Sequence, residues 1–317
     1  MLSRQAQECI DAMRAANMVE GFRNPQLFAQ IIDGSRIAQQ SDKKTLEIPV
    51  SVLRDARIEI SQITDTAELV TLLPKEADDS RGVSNVHVIY IHGGGYVFPA
   101  VPPHYFLSAR LVRELRCGVS LPMYPLLPSA SIKEILSSCL EAYETIRNRY
   151  PDKRIALMGD SAGGALAIAI SQICAERDLA QPDLLIPYSP FVDLMGVVAD
   201  REGYKVDDPL LDWYGSREIA RLLVEGTENA PDAFPPDPFY GPKKGLAPML
   251  VLCGTLEELY PGIREFVRAI SCSGGDVEFI VGEGLHHAYL LNQGEGIPEV
   301  EDGMQRVIER LRELGLQ

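Results

Sequence analysis

The sequence has no apolar run long enough to cross a bilayer. The longest runs, such as residues 86–91 and 249–253, fall far below the roughly 18 residues that a membrane-spanning helix needs. Charged residues interrupt the first 20 positions, so the uninterrupted apolar core of a signal peptide is missing there. We therefore expect no membrane span and a cytoplasmic location.

Basic residues are scarce. The chain carries 30 Lys and Arg against 45 Asp and Glu, which gives a formal net charge of -15 and an isoelectric point near 4.8. The phosphate backbone of a nucleic acid would be repelled by such a surface, so we predict no nucleic-acid partner. The 46% hydrophobic content over 317 residues is ordinary for a globular protein and excludes a disordered chain.

Cysteine pairs and metal motifs are also lacking. The six cysteines are scattered singly, with no CxxC pair and no ligand-like spacing to any of the five histidines. Most of them stand beside apolar residues. We predict reduced thiols, mostly in the core, and no bound metal.

The pattern of the remaining chain predicts an α/β fold. Residues 1–45 are helical in pattern and precede any strand, and from residue 46 to 317 short apolar strands alternate with amphipathic helices. Such alternation is typical of βαβ units, which build a mostly parallel sheet covered on both faces. We predict a catalytic domain over residues 46–317 and an N-terminal helical cap segment over residues 1–45.

Residues 194–240 break this rhythm. They are rich in Asp, Pro and Gly and are too long for an ordinary loop. We interpret them as an insertion that contributes in part to the cap and restricts the substrate pocket.

The pattern GxSxG occurs at residues 159–163, between a predicted strand at 155–158 and an Ala-rich helix. A sharp turn in this context lifts a serine hydroxyl above the sheet at a helix N-terminus, where developing negative charge is favoured. Ser161 is therefore a candidate nucleophile. The alternative is a tight glycine turn with an idle serine.

A second glycine motif, His92-Gly93-Gly94-Gly95, follows the predicted strand 86–91. Glycines without Cβ atoms let backbone N–H groups approach a substrate oxyanion. A phosphate-binding loop would need Lys followed by Ser or Thr, or spaced glycines that open a helix, and neither is present. The segment indicates an oxyanion hole.

A nucleophilic serine needs a histidine as base and a carboxylate that orients it. His286 and His287 lie beyond the last predicted strand, 277–281, in what we expect to be a loop. Glu257 and Glu258 follow the predicted strand 249–253, the position that this order of residues requires. The residues alone leave the choice within each pair open, with Glu257 preferred as the acid.

Residues 92–95 (HGGG), 159–164 (GDSAGG) and 284–289 (GLHHAY) together resemble the hormone-sensitive-lipase-like branch of the α/β-hydrolases. The resemblance implies a mostly parallel twisted sheet with helices on both faces and a helical cap. It also implies an oxyanion hole formed by Gly94, Gly95 and Ala162, with His287 as the base. His92, Gly93 and Asp160 would support these motifs.

The chain departs from that family at the acid, which is usually Asp followed by Pro-Leu, whereas Glu257-Glu258-Leu259 stands here. Because some similar esterases use Glu, we keep Glu257 as the predicted acid. The resemblance implies a serine carboxylic-ester hydrolase that forms an acyl-enzyme, acts on short-chain acyl or acetyl esters and needs no cofactor.

Two alternatives remain at this point. One is a noncatalytic small-molecule-binding protein on a hydrolase scaffold, and the other is a lactonase or amidase that uses the same three residues. The partner expected in every case is a small molecule. The sequence does not determine the oligomeric state, and a homodimer is compatible with it.

Overall fold

The computed structural model describes residues 2–39, 48–64, 67–75, 84–225 and 237–316. The helices within these ranges are α1 (Arg4–Ala15), α2 (Glu20–Arg23), α3 (Pro25–Gln39), α4 (Pro102–Leu115), α5 (Ile132–Arg149), α6 (Ser161–Glu176), α7 (Val197–Glu202), α8 (Trp213–Val224), α9 (Tyr260–Cys272) and α10 (Pro298–Gly315). The strands are β1 (Ala56–Thr64), β2 (Ala67–Pro74), β3 (Val86–Ile91), β4 (Gly118–Met123), β5 (Arg154–Asp160), β6 (Leu184–Tyr188), β7 (Met249–Leu256) and β8 (Val277–His286).

The eight strands form one sheet in the order β1-β2-β4-β3-β5-β6-β7-β8. The pairs β1/β2 and β2/β4 are antiparallel, and all others are parallel. The predicted α/β class with a mostly parallel sheet is confirmed. One expectation is wrong: β8 continues through His286 because its backbone stays paired with β7 as far as Leu256, so His286 is not in a loop.

Two apolar layers cover the sheet because alternate strand residues point to opposite faces. Ile89 and Ile91 of β3 join a core with α5 and α6, whereas Val88 and Tyr90 join a second core with α4 and α10. The parallel strands β3, β5 and β6 are almost completely buried, as expected for a sheet covered on both faces.

The helices keep charged residues on their outer faces. No helix in the described ranges combines the length and apolarity that crossing a bilayer would demand. Each of the six cysteines has a free thiol, and four of them are buried, as predicted for reduced core thiols.

The N-terminal helices contact α8, which lies inside the predicted insertion. Phe22 of α2 packs against Gly215, and Arg23 forms an ion pair with Asp212 at 3.1 Å. Phe28 of α3 meets Tyr214 edge to face. Residues 40–45 of the predicted cap segment and residues 226–236 of the predicted insertion lie outside the described residues.

Candidate active site

The candidate site lies at the carboxyl ends of five adjacent parallel strands, where sheets of this class place their ligands. β3 leads into the glycine loop, β5 into Ser161, and β7 and β8 into Glu257 and His287. β6, between β5 and β7, leads into Ser189. Parallel pairing therefore brings segments that are far apart in the chain to one edge of the sheet.

Ser161 occupies the sharp turn between β5 and α6. Its φ of +49° lies in the left-handed region, which non-glycine residues rarely adopt, and its side chain is nearly buried. A Cβ at Gly163 would lie 2.0 Å from the carbonyl oxygen of Ile91, so only glycine lets α6 approach β3 this closely. The turn places the Ser161 hydroxyl at the N-terminus of a buried helix.

His287 and Glu257 form a buried pair. His287 Nδ1 lies 2.6 Å from Glu257 Oε2, a short distance typical of a charge-assisted hydrogen bond. Burial by itself lowers the pKa of His287, but the hydrogen bond and charge of Glu257, together with the charges of Asp208 and Asp160, outweigh it and raise this pKa above 6.5. Since Nδ1 donates to the carboxylate, Nε2 of the neutral ring is left as an acceptor.

The other carboxylate oxygen of Glu257 is held by two donors. Ser189 Oγ donates to Oε1 at 2.9 Å, and the backbone N–H of Gly254 donates to the same oxygen at 2.7 Å. Ser189 Oγ also accepts the Ala288 N–H at 3.0 Å. One buried hydroxyl therefore braces both the acid and the segment that follows His287.

Sequence reasoning did not assign Ser189 to the site. Its signal was its place at the carboxyl end of β6, directly before Pro190. Its φ of +43° is a second unusual backbone conformation at this edge of the sheet.

The alternative residues of each predicted pair point elsewhere. His286 Nε2 pairs with Asn292 Oδ1 at 2.9 Å, away from Glu257. The carboxyl group of Glu258 accepts a hydrogen bond from Ser216 of α8. The structure thus brings together His287 and Glu257, and it leaves His286 and Glu258 outside this pair.

Ser161 and the His287 imidazole are not joined by a hydrogen bond in the described residues. Such bonds are often long in enzymes without substrate and tighten when the complex forms.

The glycine loop after β3 turns back on itself. Gly94 and Gly95 have φ values of +103° and +58°, and the carbonyl of Gly94 accepts the N–H groups of Val97 and Phe98. In the described part of the chain, neither the Gly94 N–H nor the Gly95 N–H has a partner. Ala162 N–H lies in the first turn of α6, where helical partners are missing. These donors could bind an anionic oxygen.

Asp160 connects the serine turn to the glycine loop. Its Oδ1 accepts the Tyr90 hydroxyl at 2.8 Å and the Gly93 N–H at 2.9 Å, and its Oδ2 lies 3.5 Å from His104 Nε2. Although burial raises the pKa of Asp160, His104, the Tyr90 hydroxyl and His92 together outweigh it and lower this pKa below its ordinary value. One buried carboxylate therefore fixes the position of the glycine loop relative to the turn that carries Ser161.

His92 also contacts the glycine loop. Its Nδ1 lies 2.7 Å from the Gly93 carbonyl, and its ring stacks on Tyr124 at 4.3 Å between centroids. Burial lowers the pKa of His92 to about 4, so the ring is neutral at neutral pH. No cluster of three or more potential metal ligands occurs in the described ranges.

Comparison with known proteins agrees with this architecture. A family model described as an alpha/beta hydrolase fold matches residues 88–291, more than half of the chain. The chain is 25% identical over 264 residues to an ethyl acetate hydrolase from Pseudomonas putida, covering 78% of this chain and 80% of that protein. It is 28% identical over 203 residues to an acetyl-hydrolase from Streptomyces hygroscopicus, covering 64% and 67%.

A solved structure of an esterase from the bacterial hormone-sensitive lipase family shares the fold. The TM-score is 0.72 at 23% identity, and the match covers 90% of this chain and 97% of the other. The family resemblance that the motifs predicted is confirmed at the level of the fold. The chain belongs to the α/β-hydrolase fold family.

Proposed function

We propose that the protein is a serine carboxylic-ester hydrolase that works through an acyl-enzyme. The observation that carries the proposal is the buried hydrogen bond between His287 Nδ1 and Glu257 Oε2, at the sheet edge where Ser161 opens α6. Acyl transfer requires a nucleophile, a base and an acid that orients the base.

In the first half of the reaction, His287 Nε2 takes the proton of Ser161 as Oγ attacks the ester carbonyl. Glu257 holds the ring in the tautomer that leaves Nε2 free, and its charge stabilises the imidazolium that forms. His287 then gives the proton to the leaving alkoxide, and the acyl group remains on Ser161.

The negative oxygen of the tetrahedral intermediate would be bound by the N–H groups of Gly94, Gly95 and Ala162. Two of these donors lack partners in the described structure, and the third opens a helix whose dipole favours negative charge. Water then attacks the acyl-enzyme by the same proton transfers in reverse and regenerates Ser161.

Short-chain acyl or acetyl esters are the substrate class that we propose. The names of the two bacterial relatives, an ethyl acetate hydrolase and an acetyl-hydrolase, support it. The contacts of α2 and α3 with α8 also support a cap that restricts the pocket. The acid–base pair argues against a noncatalytic binding protein, which would have no need of it.

The test is hydrolysis of p-nitrophenyl acetate by the purified full-length chain. We expect rapid turnover that Ser161→Ala abolishes. Ser138→Ala is a matched control because the Ser138 hydroxyl is buried in α5 without a hydrogen-bond partner. Turnover that survives in Ser161→Ala would refute the assignment of the nucleophile.

Acyl-chain profiling from acetate to decanoate tests the substrate class. We expect kcat/KM to fall steeply beyond hexanoate. A preference for decanoate would contradict the short pocket. Matched p-nitroanilide and lactone substrates separate ester hydrolysis from the amidase and lactonase alternatives.

A further inference from the structure

Helix α8 reaches the glycine loop through Ile219. A Cβ built on Gly95 would lie 2.7 Å from Ile219 Cδ1. This side chain therefore rests directly against Gly95, whose N–H has no partner among the described residues. Ile219 is 1% exposed, which means that it fills space instead of projecting into solvent. A substrate chain that passes over Gly95 would meet it.

The same helix is fixed to the acid loop three residues earlier. Ser216 Oγ donates a hydrogen bond to Glu258 Oε1, and the Glu258 backbone N–H donates to Asp208 Oδ2 at 3.1 Å. Residues three apart lie on one helix face. One face of α8 therefore spans the distance between the acid loop and the glycine loop.

Glu258 is one of the residues at which the chain departs from the family that it resembles, where proline follows the acid. Proline has neither an N–H nor a carboxyl group, so it could make neither of these two hydrogen bonds. The attachment of α8 to the acid loop depends on this departure.

The Glu258 carboxyl group is buried where it meets Ser216. Burial raises its pKa well above the ordinary value, Ser216 opposes the shift, and the charges of Asp208 and Asp212 add to it. A glutamine would keep the same shape and an oxygen that accepts the Ser216 hydroxyl.

Helix α8 also packs against the N-terminal helices. A Cβ at Gly215 would lie 2.5 Å from a ring atom of Phe22, and Arg23 pairs with Asp212 at 3.1 Å. Contacts with the acid loop and with α2 therefore both hold the helix in place.

We propose that α8 sets the substrate range, with Ile219 limiting the carbon chain that passes over the glycine loop and the Ser216–Glu258 hydrogen bond holding the helix at that distance. The inference rests on the proposed ester hydrolysis and names the specificity residue of the same site. Ile219 acts by contact with substrate, whereas Ser216 and Glu258 are positioning residues.

The primary test is Ile219→Ala, measured with two substrate series. One series lengthens the acyl chain of p-nitrophenyl esters from acetate to octanoate, and the other lengthens the alcohol of alkyl acetates from ethyl to octyl. The long-to-short ratio is the kcat/KM of the longest ester in a series divided by that of the shortest. In the series whose chain passes Ile219, we expect Ile219→Ala to raise this ratio about tenfold or more. One additional methylene in a pocket changes kcat/KM by roughly this factor.

Two further variants keep the test decisive. Ile219→Phe should lower the same ratio. Ile308→Ala makes the same truncation at a residue buried in the core on the other face of the sheet, so it should leave the ratio unchanged. A ratio unchanged in both Ile219 variants, with wild-type turnover of acetate, overturns the inference alone, whereas no wild-type turnover of any ester overturns the proposed function.

The attachment is tested by Ser216→Ala and Glu258→Gln. We expect Ser216→Ala to raise the long-to-short ratio in the same series as Ile219→Ala, and Glu258→Gln to keep the wild-type ratio because the hydrogen bond survives. Equal ratios in wild type, Ser216→Ala and Glu258→Gln would overturn the positioning role of this hydrogen bond.

Discussion

At the residue scale, the chemistry of the site depends on how the two oxygens of Glu257 are used. Oε2 faces His287, and Oε1 is occupied by Ser189 and by the Gly254 N–H. A carboxylate with partners on both oxygens cannot rotate away from the imidazole. The additional methylene of glutamate relative to aspartate is therefore compatible with a well-oriented acid.

The charge of Glu257 is tested by Glu257→Gln. We expect kcat for p-nitrophenyl acetate to fall by about 10⁴ because the tautomer of His287 is no longer enforced. Because His287 must be neutral to accept a proton, wild-type kcat/KM falls as the pH drops through the raised pKa. Loss of the anion lowers that pKa, so the acidic limb of the pH profile should shift to lower pH.

Glu258→Gln is the matched control, since Glu258 pairs with Ser216 and not with His287. The acidic limb of its pH profile of kcat/KM should coincide with that of the wild type. An unshifted limb in Glu257→Gln would show that another group orients the base.

Ser189 is tested by comparing Ser189→Ala with Ser189→Gly. Both remove the hydroxyl that donates to Glu257 and accepts from Ala288, so both should lower kcat about tenfold with little change in KM. Glycine also relieves the φ of +43°. Recovery of kcat in the glycine variant would mean that backbone strain, and not the hydroxyl, is what matters at this position.

At the scale of elements, the junction of β3, β5 and α6 shows why Ser161 needs glycines around it. The helix begins directly at the end of β5, and its first turn lies against the carbonyl groups that end β3. Neighbouring backbone leaves no room for a side chain there.

Gly163→Ala tests this packing. Its Cβ would lie 2.0 Å from Ile91 O and 2.6 Å from His92 O, and backbone atoms cannot move aside cheaply. We expect the free energy of unfolding, measured by urea denaturation, to fall by about 3 kcal/mol. Activity should also fall, because the backbone shift that makes room for the new Cβ displaces Ser161.

Gly34→Ala provides the contrast. Gly34 lies in α3, and apart from the helix's own backbone no described atom lies within 4 Å of the position that its Cβ would take. Alanine should raise the free energy of unfolding by about 0.5–1 kcal/mol, the ordinary helix-propensity gain. Equal effects of the two substitutions would refute the packing argument.

At the scale of the whole molecule, stability depends on keeping several titratable groups buried. His87 and His92 lie inside the molecule as neutral rings. Burial lowers the pKa of His87 to about 3, and the positive charges of Lys153 and Arg149 act in the same direction. The fold is therefore sensitive to acid for a reason separate from catalysis.

His87 has a defined effect on the pH dependence of stability. Its folded pKa of about 3 lies below the unfolded value near 6.5, so its contribution is present above pH 6.5 and is lost as the pH falls toward 3. One such group reduces the free energy of unfolding by about 1.4 kcal/mol per pH unit in that window.

His87→Phe removes the titration and keeps a ring that can stack on Tyr150. We expect the free energy of unfolding, measured by urea denaturation at pH 7, 6 and 5, to depend less steeply on pH in the variant. The difference in slope should correspond to about one proton, whatever the absolute stability of the variant. Parallel slopes for wild type and variant would show that His87 already carries a proton in the folded protein.

The order of strands and helices could be read from the sequence because periodicity is a local property. The strands 86–91 and 184–188, the helix that begins at Ser161 and the α/β class all follow from short windows of apolar spacing. The chemical motifs GDSAGG and HGGG are equally local, since each needs only a strand before it and a particular turn after it.

The pairing of side chains was decided by tertiary structure alone. The motif resemblance pointed to His287 and Glu257, but it did not bring them together. Their contact, and the bracing of both segments by Ser189, depend on β6, β7 and β8 lying side by side. Ser189 is 68 positions from Glu257 and 99 from Ala288, so no local pattern connects them. The contact of Ile219 with Gly95 likewise depends on how α8 packs across the sheet edge, because hydrogen bonds and van der Waals contacts act through space and not along the chain.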